Sequence, residues 1–244
     1  MSLIEFEHVS KTFRHGSGAK LLRDHMRELL SGTRDHRRFY ALKDVSFCID
    51  SGESLGIVGG NGAGKSTLLS LVAGLTQPSA GRVSVNGRVA ALLELGSGFH
   101  GDLTGRENVK LNASLLGLTR AEFAEAYERI VEFAGAADII NDPLRTYSSG
   151  MVMRLGFSVA IHANPDVLMI DEVLAVGDQN FQTKCLNRVR EFKDSGKTLL
   201  FVSHVPQMVR QLCERCIWLD QGQVILSGTP DEVIAAYEGK TAPA

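Results

Sequence analysis

A glycine-rich stretch in the first third of the chain has the residue types and spacing needed to hold phosphate groups. It fits the pattern G-x-x-x-x-G-K-[ST] and consists of Gly59, Gly60, Asn61, Gly62, Ala63, Gly64, Lys65, Ser66 and Thr67. Glycines let the backbone curl with its N–H groups pointing inward, where side chains would clash. The Lys65 ammonium can reach β- and γ-phosphates, and the Ser66 hydroxyl can bind Mg²⁺. The stretch predicts a site for a nucleotide.

Acidic residues follow an apolar segment much later in the chain. Residues 167–170 are all apolar, as a strand buried on both faces must be, and Asp171 and Glu172 come directly after them. Asp171 can hold Mg²⁺, often through water. Glu172 is placed to orient or deprotonate an attacking water molecule. By themselves these are acids at the end of a strand; with the phosphate loop upstream they indicate hydrolysis of a nucleotide.

The residues around the phosphate loop predict the elements that must position it. Residues 54–58 form a short apolar run typical of a buried strand, and the leucines and valine that follow Lys65 have helical spacing. A helix that begins near Lys65 would direct the positive end of its dipole at the phosphates. A strand, a loop and a helix in this order favour a phosphate site over a chance match.

The rest of the chain alternates in the same way. We expect further strands over residues 3–9, 41–49, 83–85, 88–93, 198–202, 217–219 and 223–226, and helices over 104–116, 120–134, 149–163, 181–192, 207–215 and 231–237. This order predicts an α/β fold with a parallel sheet covered by helices on both faces. One domain would span residues 1–244, with a core over about 1–93 and 165–244 and a helical subdomain over about 94–164.

Residues 14–40 are longer than a hairpin between the first two strands requires. Their leucines and methionine fall on one helical face, and basic residues surround it. This segment is either a basic amphipathic helix that lies near a membrane or docks on a partner, or a surface helix that covers the sheet. Both interpretations stay open.

Composition excludes several other classes of protein. The 244 residues carry a net charge of −2, which provides no bulk electrostatic attraction for nucleic acid. No apolar run approaches the roughly 20 residues that cross a bilayer, and the N-terminus does not resemble a signal peptide. Cys213 and Cys216 have C-x-x-C spacing, but without a second pair or a nearby histidine they predict reduced structural thiols rather than a zinc site. We expect a cytosolic chain that reaches a membrane through a partner.

The order of the motifs resembles that of the ATP-binding subunits of ABC transporters, over nearly the whole chain. After the phosphate loop come Thr104-Gly-Arg-Glu-Asn108, Tyr147-Ser-Ser-Gly-Met151, Ile170-Asp-Glu172 and Ser203-His204. Residues 147–151, here called the signature turn, stand where this family has Leu-Ser-Gly-Gly-Gln, its most specific element. The resemblance implies a RecA-like parallel sheet, an antiparallel β region and an inserted helical subdomain.

The resemblance also assigns roles to residues outside the phosphate loop. Ser148, Ser149 and Gly150 of one subunit would meet the γ-phosphate held by another copy, with the helix N-terminus facing the anion. His204 would contact the γ-phosphate as the switch histidine, and Asp178 would cross the dimer. The family stacks an aromatic residue on adenine, and Phe13 and Tyr40 are the candidates. ATP and Mg²⁺ are the implied cofactors.

This sequence departs from the family pattern at several positions. Gly60 replaces the usual proline, and the signature turn lacks the second glycine and the glutamine. Glu94 lies nearest the position of a conserved glutamine in the loop that joins core and subdomain. A carboxylate binds Mg²⁺ or its water but repels phosphate, so Glu94 is a candidate metal ligand.

Together these departures are similar to those of a subgroup that exports lipid-linked polysaccharides, such as O antigen, capsule or teichoic acid. Its implied partners are a second copy of the chain and an integral membrane permease, and its implied place is the cytoplasmic face of the bacterial inner membrane, as a peripheral protein. The main alternative is a soluble ABC-type ATPase of DNA repair or the ribosome, although the chain has one set of motifs and no sustained heptads. A kinase or GTPase would leave the signature turn and His204 unexplained.

Overall fold

A computed structural model describes residues 2–14, 38–92, 98–171, 177–203 and 205–241, and the described strands form two sheets. The smaller sheet is antiparallel, in the order β2-β1-β4, and contains β1 (Ser2–Arg14), β2 (Arg38–Asp50) and β4 (Ala80–Val85). Its first two strands pair with an irregular register: Lys11 lies opposite Leu42 and Thr12 opposite Tyr40, so Ala41 forms a bulge. The segment predicted as a basic helix falls mainly on residues 15–37, outside the described residues.

The larger sheet contains the strands that carry the predicted site. Its order is β5-β6-β7-β3-β8-β9, made of β3 (Ser54–Val58), β5 (Val89–Ala91), β6 (Val167–Asp171), β7 (Thr198–Val202), β8 (Arg215–Asp220) and β9 (Gln223–Gly228). The first five strands in this order run parallel, and β9 is antiparallel to β8. Because β6, β7 and β3 are neighbours and run parallel, their carboxyl ends meet at one edge of the sheet.

The helices occupy both faces of this sheet and a separate layer. They are α1 (Lys65–Val72), α2 (Gly105–Leu115), α3 (Arg120–Ala134), α4 (Ser149–His162), α5 (Gln179–Asp194), α6 (Pro206–Leu212) and α7 (Pro230–Thr241), with a short 3₁₀ turn at Leu144–Thr146. Strong local signals begin α2 and α3: Thr104 with Glu107, and Thr119 with Glu122, form capping boxes.

Alternating side chains of the larger sheet divide the core between its two faces. On β6, Leu168 and Ile170 pack into a cluster with α4, α5 and α6, whereas Val167 and Met169 pack with α1 and the smaller sheet. A third cluster lies among α2, α3 and α4 and is centred on residues such as Ile130. These side chains are almost fully buried, so both faces of β6 are apolar as the sequence predicts.

Most predicted elements are present, with a few informative differences. The turn residues Asn86 and Gly87 between the strands predicted at residues 83–85 and 88–93 favour a hairpin. The two strands do not pair with each other, because β4 joins the small sheet and β5 pairs in parallel with β6. The helix predicted over 207–215 ends at Leu212, since Arg215 begins β8. The last helix extends to Thr241, beyond the predicted end at residue 237.

The cysteines have no disulfide partner. Cys185, Cys213 and Cys216 are buried, and burial raises the pKa of Cys185 and Cys216 to about 12, so the thiols stay protonated. This agrees with the predicted role as small apolar residues. Among the described residues, none of the helices has the length and apolar content that crossing a bilayer requires.

Candidate functional site

The phosphate loop connects β3 to α1 and leaves the helix N-terminus open. Gly64 is the N-cap residue of α1, with φ of 108°, and no side chain caps this end. A Cβ atom at Gly64 would collide with the carbonyl oxygen of Ala41, so only glycine fits. The first N–H groups of α1, from Lys65 to Thr67, have no carbonyl partner within the helix. They are available to an anion.

The Lys65 side chain lies over the phosphate loop. Its Nζ donates to the carbonyl oxygens of Gly59 at 2.8 Å and Gly60 at 2.9 Å. The ammonium therefore lies above the curl of the loop while Lys65 remains partly exposed. A phosphate in the loop would find a cation in place and would not have to order a long side chain.

A cavity of about 300 Å³ opens above the loop and brings two of the predicted metal residues, Ser66 and Asp171, together. Residues 61–67 line it, together with Asp171, Ala41 and Phe39. The Ser66 hydroxyl and the Asp171 carboxylate are oxygen ligands of the kind that Mg²⁺ prefers, and two protein ligands leave positions for phosphate and water oxygens. The donor set therefore fits Mg²⁺.

The aromatic wall of this cavity differs from the sequence expectation. Phe39 lines the cavity, and Phe13 lies directly opposite Phe39 in the β1–β2 pair, on the same face. Tyr40 pairs with Thr12 on the other face of the ribbon and is not among the lining residues. Phe13 and Phe39 are each about half exposed, at 47% and 51%. The sequence analysis did not name Phe39. Its position next to Tyr40 was the available signal, because neighbouring residues of a strand face opposite sides.

The signature turn lies at the N-terminus of α4. Ser148 is the N-cap residue, and its hydroxyl accepts a hydrogen bond from the N–H of Met151 at 3.2 Å. Ser149 is exposed, Gly150 is partly exposed, and a Cβ atom at Gly150 would meet only the Ser148 hydroxyl, at 3.9 Å. Tyr147 is buried and donates to the carbonyl of Ile139, which anchors the turn. The buried Tyr147 therefore anchors the turn, while Ser149 and Gly150 remain accessible at the helix N-terminus.

Asp178 begins α5 and already has partners within the chain. Its carboxylate accepts from the N–H of Phe181 at 2.9 Å and from Nη2 of Arg154 at 2.5 Å. The hydrogen bond from Phe181, together with the neighbouring guanidinium, lowers the pKa of Asp178 below its ordinary value. The sequence analysis did not identify Arg154, because a single basic residue within a predicted helix forms no recognisable motif.

Three predicted site residues, Glu94, Glu172 and His204, lie outside the described residues. Their neighbours in the chain locate the surrounding backbone. Asp171 ends β6, and Ser203, which is buried, directly follows β7 between the ends of β3 and β6. Asp171 and Ser203, which directly precede residues 172 and 204, therefore lie at the edge of the sheet where the phosphate loop lies.

The strand, the glycine loop, the lysine and the metal-binding oxygens define a P-loop nucleotide-binding protein. A family model described as ABC transporter matches residues 42–175. The chain belongs to the ABC transporter family, and it is an ATPase of the ABC type.

Two named relatives are similar to nearly the whole of this chain. The chain is 48% identical over 243 residues to "O-antigen export system ATP-binding protein RfbB" of Klebsiella pneumoniae, covering 97% of each chain. It is 42% identical to "Teichoic acids export ATP-binding protein TagH" of Bacillus anthracis, over 96% of this chain and 42% of that protein.

Solved structures agree on the fold. An ATP-binding subunit of an ABC transporter superposes with a TM-score of 0.77 at 24% identity, over 99% of this chain and 95% of the other. A dimeric ATP-binding cassette in a post-hydrolysis state, bound to ADP and Pi, has a TM-score of 0.74 at 22% identity, over 93% of this chain and 98% of the other. At these identities the likeness concerns the fold.

Proposed function

We propose that this protein is the ATP-binding subunit of an export system for a lipid-linked polysaccharide of the O-antigen, capsule or teichoic acid type. The observation that carries the proposal is the end-to-end likeness to the O-antigen export protein, which covers 97% of both chains. The subunit would work at the cytoplasmic face of the bacterial inner membrane, bound to a separate permease. A soluble ATPase of DNA repair or the ribosome is the less favoured alternative, since the named relatives are export proteins.

ATP would bind with its phosphates in the loop and its base toward the small sheet. The open N–H groups of α1 and the Lys65 ammonium would hold the β- and γ-phosphates. Ser66 and Asp171 would hold Mg²⁺, which neutralises charge that develops on the phosphates. We expect Phe39, which lines the cavity, and Phe13, which lies opposite it on the same face of the ribbon, to stack on the adenine in preference to Tyr40, which is on the other face.

Hydrolysis would require a second copy of the chain. Each site would be completed by Ser148, Ser149 and Gly150 of the other copy, whose exposed helix N-terminus suits the γ-phosphate. Closure would exclude water other than the attacking molecule, which Glu172 would orient or deprotonate while His204 contacts the γ-phosphate. Loss of the bridging phosphate would then let the two copies separate.

The layer of α2 and α3 offers a surface on which the permease would dock. A groove of about 610 Å³ runs between these helices over an apolar floor that includes Phe123 and Tyr127. Three cations line it: Arg106, Lys110 and Arg120. Such a groove suits an amphipathic segment of a protein partner. The segment 94–99 is expected to extend this surface.

The hydrolytic part of the proposal is tested with Glu172→Gln. This variant should bind ATP, hydrolyse it at least about 100-fold more slowly, and accumulate as an ATP-bound dimer in size-exclusion chromatography. Hydrolysis at the wild-type rate would remove Glu172 from its role.

The export part needs a separate measurement. We expect the chain to co-purify with a membrane permease, and its deletion should leave lipid-linked polysaccharide at the inner face of the membrane. Co-purification with ribosomes or DNA in place of a permease would contradict the export function and favour the soluble alternative.

A further inference from the structure

An ion pair joins the helix that carries the signature turn to the segment that follows Asp171. Arg154 lies on α4, and its Nη2 donates to Oδ2 of Asp178 at 2.5 Å. The same guanidinium lies over the ring of Phe181, with 5.1 Å between its central carbon and the ring centroid. Arg154 is thus held at two points of α5, its N-cap and its first turn.

The position of Arg154 along α4 makes this contact relevant to the signature turn. Gly150 and Arg154 are four residues apart, so they share one face of the helix. Helical side chains lean toward the N-terminus, which directs the guanidinium back toward the turn. At the other end of the ion pair, only Gly177 separates Asp178 from the segment 172–176, which contains Glu172. The pair therefore bridges the two parts that hydrolysis needs to align.

Neither helix depends on this ion pair for its stability. α5 is capped by Asp178 through the N–H of Phe181, and it is anchored by the buried side chains of Phe181 and Cys185. The two charged side chains are 29% and 60% exposed, and ion pairs with such exposure contribute little to stability. A contact of this kind contributes more to alignment than to folding.

The backbone next to Asp178 is fitted closely to Arg154. Gly177 has φ of 76°, and a Cβ atom there would come within 3.1 Å of the Arg154 Nε. A glycine with positive φ thus allows the chain that leaves the 172–176 segment to pass directly against the guanidinium. The contact is therefore part of how the backbone at Gly177 is placed against α4.

We propose that Arg154 is a positioning residue for ATP hydrolysis, which locks the signature turn to Asp178 and so transmits contact with the partner's nucleotide to the N-terminus of α5. The inference depends on the ATPase class of the protein and not on the exported substrate. The proposed role also explains why Asp178 pairs with Arg154 of its own chain in the single subunit, although the family resemblance implies that Asp178 contacts the other copy of the dimer.

The test compares Arg154→Gln and Arg154→Lys with Arg145→Gln in steady-state ATP hydrolysis by the full chain, with the permease present if the wild type requires it. Arg145 forms an exposed ion pair with Asp102, at 2.9 Å, without touching α5, and it is the matched control. We expect Arg154→Gln to lower kcat by about tenfold to 100-fold, as small misplacements of reacting groups do, while KM for ATP changes less than about twofold. Arg154→Lys keeps the charge and should recover part of the loss, and Arg145→Gln should match the wild type.

A second variant separates alignment from capping. Asp178→Asn keeps a good N-cap residue but removes the charge, so it should reproduce the loss in kcat, and the double variant with Arg154→Gln should be no worse than either single one. Wild-type kcat in Arg154→Gln, an equal loss in Arg145→Gln, full additivity in the double variant, or a loss that follows a fall in the folded fraction by circular dichroism would each overturn the proposal.

Discussion

Two kinds of helix N-terminus occur in this molecule, and they differ in the charge of the first turn. The helices α2 and α3 begin with threonine caps, and each has a glutamate in its first turn, Glu107 and Glu122. The helices α1 and α4 have no acidic residue in the first turn, and α1 has no side-chain cap at all. A carboxylate stabilises a helix N-terminus but occupies the place of an anionic ligand.

The comparison shows how local stability is given up where a ligand must bind. In α2 and α3 a capping box satisfies the N–H of the N-cap threonine and the N–H of the glutamate within the chain, so these ends stabilise the layer that would contact the permease. In α1 the first N–H groups stay open for phosphate, and in α4 Ser148 accepts from the N–H of Met151 but no glutamate completes a capping box. Ligand binding at α1 and α4 should therefore recover energy that capping supplies elsewhere.

The largest effect is expected at the open end of α1. Lys65→Ala removes the ammonium that lies above Gly59 and Gly60, so ATP hydrolysis should fall by about 100-fold or more, because stabilisation of charge on the transferred phosphate is lost. Phosphate release assays measure the rate, and Lys240→Ala, at an exposed ion pair with Asp220, is the control. Turnover unchanged in Lys65→Ala would place the phosphates elsewhere.

The second largest effect is expected at the N-terminus of α4, on formation of the ATP-bound dimer. Gly150→Asp puts into this helix the charge that α2 and α3 have, so the signature turn should repel the γ-phosphate held by another copy. In the Glu172→Gln background, we expect the ATP-bound dimer to disappear in light scattering, whereas one chain still binds ATP.

The matched control for this second prediction is Ala121→Asp, which adds the same charge to the first turn of α3 at an exposed position. It should leave the dimer intact. Dimers of normal stability in Gly150→Asp would show that the signature turn does not face phosphate.

A smaller effect is expected at the capped end of α3. Thr119→Ala removes the hydroxyl that accepts from the N–H of Glu122 at 3.2 Å, and should lower the free energy of unfolding by about 1 kcal/mol. Urea denaturation measures this change, Thr119→Ser should restore most of it, and kcat should stay at the wild-type value. A loss of ATP hydrolysis without a loss of stability would contradict the division between the two kinds of helix end.

The smallest effect is a dependence of stability on pH. The hydrogen bond from Arg88, followed by those from Thr119, lowers the pKa of Glu122 from 4.5 to about 2. Because the folded pKa is depressed, this contribution to stability is present above pH 4.5 and is lost as the pH falls from there toward about 2. Glu122→Gln should remove this part of the pH dependence in urea midpoints. A curve identical to that of the wild type would contradict the pairing with Arg88.

Sequence patterns alone predicted the features that depend on neighbouring residues. The phosphate loop and the doubly apolar run before Asp171 are local, because a turn or a buried strand is encoded within a few residues. The family order of the motifs extended this to the class of enzyme.

Only the tertiary structure decided which distant segments meet. The turn at Asn86 and Gly87 links two different sheets, because β5 pairs with β6, about 80 residues later. The bulge at Ala41 determines that Phe39, and not Tyr40, faces the cavity, and the packing of α4 on α5 brings Arg154 to Asp178. Strand order, bulge register and contacts between helices arise from long-range packing, so the local sequence determines the parts of this site and the fold determines their arrangement.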